Sequence, residues 1–68
     1  MKLYNGSRIY EIRNKETREI YGSPFTYEKT LKECLEILLK FNPNFNKEYD
    51  LTYWEINFGG TIDIEDLV

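Results

Sequence analysis

The sequence predicts an α+β fold in which one amphipathic helix packs on an antiparallel sheet, in the order β-β-α-β-β. Three observations carry that expectation. Apolar residues recur every three or four positions between Tyr27 and Phe41, the period of one helix face. On either side of that stretch, apolar and polar residues alternate with the period of a half-buried strand. The chain has 68 residues, near the lower limit at which a hydrophobic core holds a fold without disulfides or metal. Residues 1–68 are therefore read as a single α+β domain.

Taken in order, Asn5-Gly6 is a tight-turn dipeptide, and Lys2 to Tyr4 ahead of it either begin a short strand or fold back. Ser7 to Arg13 and Arg18 to Gly22 read as two strands of a hairpin around the polar turn Asn14-Lys15-Glu16-Thr17. An even loop sets Ile12 against Glu19, whereas an odd loop sets Tyr10, Ile12 and Ile20 on one face. A slip of one residue inverts every side chain, so the odd register is preferred.

The central helix gathers Tyr27, Leu31, Cys34, Leu35, Leu38 and Phe41 on its buried stripe. Its polar side carries Glu28 with Lys32, Lys29 with Glu33, and Glu36 with Lys40, opposite charges four residues apart. Ser23-Pro24 and Thr26 offer N-terminal capping, and Pro43 forces Asn42 out of helical geometry to end the element. Cys34 reads as a core thiol rather than a nucleophile, because no base or cation stands near it in the sequence.

Beyond the polar loop 42–47, Leu51 to Phe58 alternate with period two, and Thr52, Trp54, Ile56 and Phe58 are assigned to the core. A three-residue loop ending at Gly60 then pairs Ile56 with Ile62 and Trp54 with Ile64. The last six residues are either this final strand or a helical turn capped by Asp63.

Composition narrows the function. The chain has no histidine and one cysteine, which removes the usual general acid/base, the Ser-His and Cys-His nucleophile pairs and the common zinc ligand. Gly59-Gly60 lacks the spacing of a phosphate loop, and Asp63, Glu65 and Asp66 lack that of a calcium loop. The expectation is a protein without catalytic residues, cofactor or metal. With no disulfide pair and no long apolar run, a cytoplasmic location is expected.

Two binding readings follow. Residues 1–32 carry seven bases against four acids, whereas residues 33–68 carry two bases against eight acids. The acidic half, with Asp63, Glu65 and Asp66 at its end, suits a protein partner with a basic surface such as a nucleic-acid enzyme, the carboxylates taking the place of phosphates. Aromatic residues make up 16% of the chain, more than so small a core encloses, so Phe45 in its asparagine-rich loop and Tyr53 opposite Trp54 are expected as exposed anchors. Such a role resembles that of the small acidic inhibitors that phage and mobile elements direct against host nucleases and defence complexes, acting in the host cytoplasm. The richness in Lys, Asn, Ile, Tyr and Glu is also that of an AT-rich phage-type gene. No motif matches a named family residue by residue. The alternative is a nucleic-acid-binding regulator using Arg8, Arg13, Lys15 and Arg18 with Tyr10 and Tyr21 as stacking surfaces, against which stands the net charge of -3. A small-molecule enzyme is the weakest reading, and self-association is compatible with either of the first two.

Overall fold

The computed structural model describes residues 8–55 and 57–68. The elements run β1 (Ile9–Asn14), α1 (Glu28–Phe41), α2 (Phe45–Glu48), β2 (Tyr49–Trp54), β3 (Gly59–Ile62) and α3 (Ile64–Leu67). The class is α+β as expected, but the order is β-α-α-β-β-α. The sheet is antiparallel with strand order β1-β2-β3. No helix of the described residues is long and apolar enough to cross a membrane.

Strand β1 pairs along its whole length with β2, placing Tyr10 opposite Tyr53 and Ile12 opposite Leu51. β3 then sets Ile62 opposite Leu51 and Gly60 opposite Tyr53. Partners across a ladder share a face, so Tyr10, Ile12, Leu51, Tyr53 and Ile62 look to one side. The helices supply the other half of the core: Leu31 and Leu35 from α1, Phe45 from α2 and Ile64 from α3 are buried with Tyr10, Ile12 and Leu51.

The predicted partner of β1 is not a strand. Residues 19–25 run along its other edge, with Tyr21 N–H donating to the Ile12 carbonyl at 2.7 Å and Phe25 and Tyr10 exchanging both backbone bonds at 2.8 Å. Arg13 lies opposite Ile20 and Tyr10 opposite Phe25. Residues 10 to 13 therefore face the longer stretch 20 to 25, and the surplus is absorbed around Gly22, whose φ of +80° only glycine adopts freely. Pro24 has no N–H to continue a ladder. The preferred odd register is thus replaced: Tyr21 shares the side of Ile12, its ring against Phe45 and Tyr49 yet 42% exposed, while Ile20 lies beside Arg13 on the other side and is 39% exposed. The turn itself forms where expected. Asn14 Oδ1 accepts from Glu16 N–H at 2.8 Å and Thr17 N–H at 2.9 Å, and Arg18 closes it with φ +65°. The expected turn at Asn5-Gly6, the start of β1 at Ser7 and the core placement of Ile56 lie outside the described residues.

Helix α1 begins with Tyr27 as N-cap, which makes no side-chain capping bond, so neither Ser23-Pro24 nor Thr26 fills that role. It ends as predicted: Asn42 is extended ahead of Pro43, and its N–H donates to the Leu38 carbonyl at 2.8 Å. The buried stripe is narrower than expected. Leu31 and Leu35 are fully enclosed and Cys34 only half-buried, while Tyr27 and Phe41 stand 59% and 83% exposed. The loop after α1 folds into the short turn of α2, which drives Phe45 inward until it is 4% exposed. Phe45 stacks on Tyr49 at 4.4 Å, and Tyr21 meets both rings edge-on.

The face of β2 is the main correction. Tyr49, Leu51 and Tyr53 point to the core, so Thr52 and Trp54 point away; Trp54 is 42% and Phe58 58% exposed. The strand ends at Trp54, and beyond it Glu55 N–H donates to the Phe58 carbonyl at 2.6 Å ahead of β3. Gly59 and Gly60 belong to β3 rather than to the turn. A Cβ at Gly59 would stand 2.4 Å from the Tyr53 carbonyl oxygen, so glycine is required there by close approach. Of the two readings of the last residues, the helical turn is the one formed, with Asp63 as N-cap but without a side-chain capping bond.

Candidate interaction surface

The buried residues of all three helices belong to the core side of the sheet, so among the described residues no helix covers the opposite face. That face can be read row by row from the pairing. Ile9, Trp54 and Gly59 form one row; Glu11, Thr52 and Thr61 the next; Arg13 and Asp50 the third, with Ile20 beside Arg13. The first row is apolar and open, with Ile9 39% and Trp54 42% exposed. Gly59 has no side chain, so one flank of the indole is left bare.

The third row is charged and internally satisfied. Arg18 reaches back over the sheet from its turn, and its guanidinium donates to both Asp50 carboxylate oxygens at 3.1 Å and to Thr52 Oγ1 at 2.9 Å. This contact leaves Asp50 only 7% exposed. Arg18 thereby supplies hydrogen bonds to an enclosed carboxylate, which makes the contact a structural need of the face. Arg13 pairs with Glu11 and donates to the Arg18 carbonyl at 2.6 Å.

At the apolar end, Arg8 pairs with Glu55 and lies 4.7 Å from the centroid of the Tyr53 ring. It also donates to Tyr10 Oη at 3.0 Å, and Tyr10 Oη donates to Glu28 at 2.8 Å. Burial raises the Tyr10 phenol above its ordinary value, and the bond to Glu28 pushes the same way against the opposing pull of Arg8. These contacts fasten the start of β1 to α1 beneath the sheet.

The acids expected as a steering surface are placed at the far end. Asp63, Glu65 and Asp66 are all exposed, and Asn46 Nδ2 donates to Glu65 at 3.4 Å. Gly59 and Thr61 share the open face with Trp54, and continuing that alternation puts Asp63 there too, about 13 Å from Gly59 along the strand. Asp63 is thus on the side of Trp54, whereas Glu65 and Asp66 belong to α3, whose Ile64 is buried in the core on the other side of the sheet.

The two expected anchors do not stand on this surface. Phe45 is core, and Tyr53 is half-buried on the inner face, its ring centroid 6.4 Å from both Tyr10 and Phe58. The large apolar side chains exposed in the first row of the open face are Trp54 and Ile9. The signal that locates them is the competing phase Tyr49, Leu51, Tyr53, which matches the apolar residues Tyr10 and Ile12 of the paired strand. Of the alternative nucleic-acid set, Arg8, Arg13 and Arg18 are each held by a carboxylate. Lys15 lines a shallow cavity of about 350 Å³ with Asn14, Glu16, Lys47 and Glu48, a mixed-charge lining without an apolar wall. Comparison with protein-family models, with curated proteins and with solved structures found no match.

Proposed function

We propose that the protein acts by stoichiometric binding to another protein with a basic surface, as an inhibitor or regulator, through the open sheet face and the acids that continue it. The observation that carries this reading is Trp54, a large aromatic ring exposed beside Ile9 on a sheet face that no helix of the described residues covers. Exposed tryptophan is costly to keep in water and is the commonest kind of interface anchor.

Charge supports the choice of partner. The arginines are neutralised within the fold by Glu55, Glu11 and Asp50, so the excess charge left to the surface is acidic, with Asp63 at the end of Trp54's face and Glu65 and Asp66 exposed on the helical turn that follows it. A nuclease or a defence complex, whose basic cleft receives nucleic acid, is the kind of protein that such a surface fits. The phage or mobile-element setting rests on composition alone.

The test is affinity capture from the native host with the wild-type chain, Trp54→Ala, and the triple reversal of Asp63, Glu65 and Asp66 to lysine. A basic protein retained by the wild type and lost by both folded variants supports the proposal. Recovery that both variants keep refutes this surface, and recovery abolished by nuclease treatment moves the assignment to direct nucleic-acid binding.

A further inference from the structure

A second exposed apolar surface lies on α1, away from the Trp54 face, and goes beyond the reading above. Burial of Leu31 and Leu35 uses one stripe of the helix, yet apolar residues continue around it to Ile37 and Phe41, which are 57% and 83% exposed. At 3.6 residues per turn, Thr30, Cys34, Ile37 and Phe41 fall on a single line, with spacings of four, three and four. Together with the core stripe this makes an apolar arc roughly twice the ~100° that packing against one sheet requires. Glu33 and Lys40 border the line on its solvent side, seven residues apart and of opposite sign.

We propose that this line is the contact of a symmetric dimer, in which α1 packs antiparallel on α1 of a second copy about a two-fold axis crossing the helix near Leu35 and Glu36. Size and charge both select this arrangement over the parallel one. Antiparallel, Phe41 lies against the second copy's Thr30 and Ile37 against its Cys34, so each large side chain meets a small one and each contact occurs twice. Glu33 then borders the second copy's Lys40, and Lys40 its Glu33. In the parallel arrangement Phe41 meets Phe41 and Thr30 meets Thr30, and Glu33 and Lys40 lie on opposite flanks of the seam in the two copies, so neither pairs with the other. The antiparallel register also leaves Trp54 uncovered, so a dimer presents two copies of the sheet face.

The contact is one helix of 14 residues against its twin, below the ~800 Å² per partner of a standard interface. Dimerisation is therefore weak, with a dissociation constant on the order of 100 µM. Sedimentation of the wild-type chain without any partner, from about 10 µM to 1 mM, is expected to show this equilibrium. Phe41→Glu should stay monomeric over that range with an unchanged circular dichroism spectrum, since the side chain is already exposed. Glu33→Lys and Lys40→Glu should each weaken the dimer about tenfold, and the double exchange should restore it to within about threefold. A wild type monomeric throughout, or a dimer indifferent to Phe41→Glu, overturns the proposal. A double exchange that fails to restore association overturns the antiparallel register. Because no other protein is present, neither result depends on the Trp54 surface.

Discussion

At the scale of single residues, Trp54 and Phe45 show how exposure rather than residue type assigns a role. Phe45 sits among asparagines, yet it is 4% exposed and stacks on Tyr49; Phe45→Ala removes a core ring and should cost about 3–5 kcal/mol. Trp54, the larger side chain, is 42% exposed on a face that no helix of the described residues covers; Trp54→Ala should cost less, about 2 kcal/mol, because nearly half of the residue was already in water. Urea denaturation of the two variants checks the ordering. A Trp54 variant that unfolds, beside a Phe45 variant that remains stable, reverses the assignment of faces.

Elements were legible in the sequence to the extent that local signals act alone. α1 is fixed by a period that no neighbour contradicts and by Pro43, and it ends as expected; the polar turn at Asn14 forms for reasons contained in Asn14 itself. β2 is different. Thr52-Trp54-Ile56-Phe58 and Tyr49-Leu51-Tyr53 both alternate, and the tie is broken only by the partner strand, which presents Tyr10 and Ile12 opposite Tyr53 and Leu51. Tyr53 reads as outside and Trp54 as inside only in the first phase, so for these two the error passes from the fold to the site; Phe45 reads as outside for its asparagine neighbours, and the short turn of α2 carries it inward instead. The acids suffered no such inversion, since an exposed carboxylate at a chain segment rich in them needs no knowledge of pairing. The β2–β3 hairpin also reassigns the glycines. Gly59 faces main chain, so Gly59→Ala forces the strands apart and should cost about 2–3 kcal/mol. Gly60 faces the Tyr53 ring, whose nearest atoms would stand 3.1 and 3.2 Å from an added Cβ; that ring can tilt, and Gly60→Ala should cost about 1 kcal/mol. Equal thermal shifts for the two variants would contradict the close backbone approach.

For the molecule as a whole, charge is sorted by partner. The arginines lie in contacts that hold the sheet and its turn together, whereas Asp63 and Asp66 face water beside Glu65. Charges of the first kind change stability, and those of the second act at a distance on whatever approaches. Association with a basic partner should therefore slow several-fold between about 50 and 500 mM salt while dissociation changes little. Stopped-flow mixing or surface plasmon resonance reads the two rates separately, and a salt effect confined to dissociation would count against steering by the α3 acids.

Trp54 is the sole tryptophan of the chain, and its place outside the core gives the protein a built-in optical division of labour. Indole emission reports the polarity around one ring on the open sheet face, while the tightly packed rings of Tyr10, Phe45 and Tyr49 report the state of the interior through near-ultraviolet dichroism. An event that shields the sheet face shifts the first signal without the second. Loss of tertiary packing collapses the dichroism even where the indole, half in water from the start, barely changes colour. Unlabelled protein can thus be followed in two channels at once, one for encounter and one for integrity.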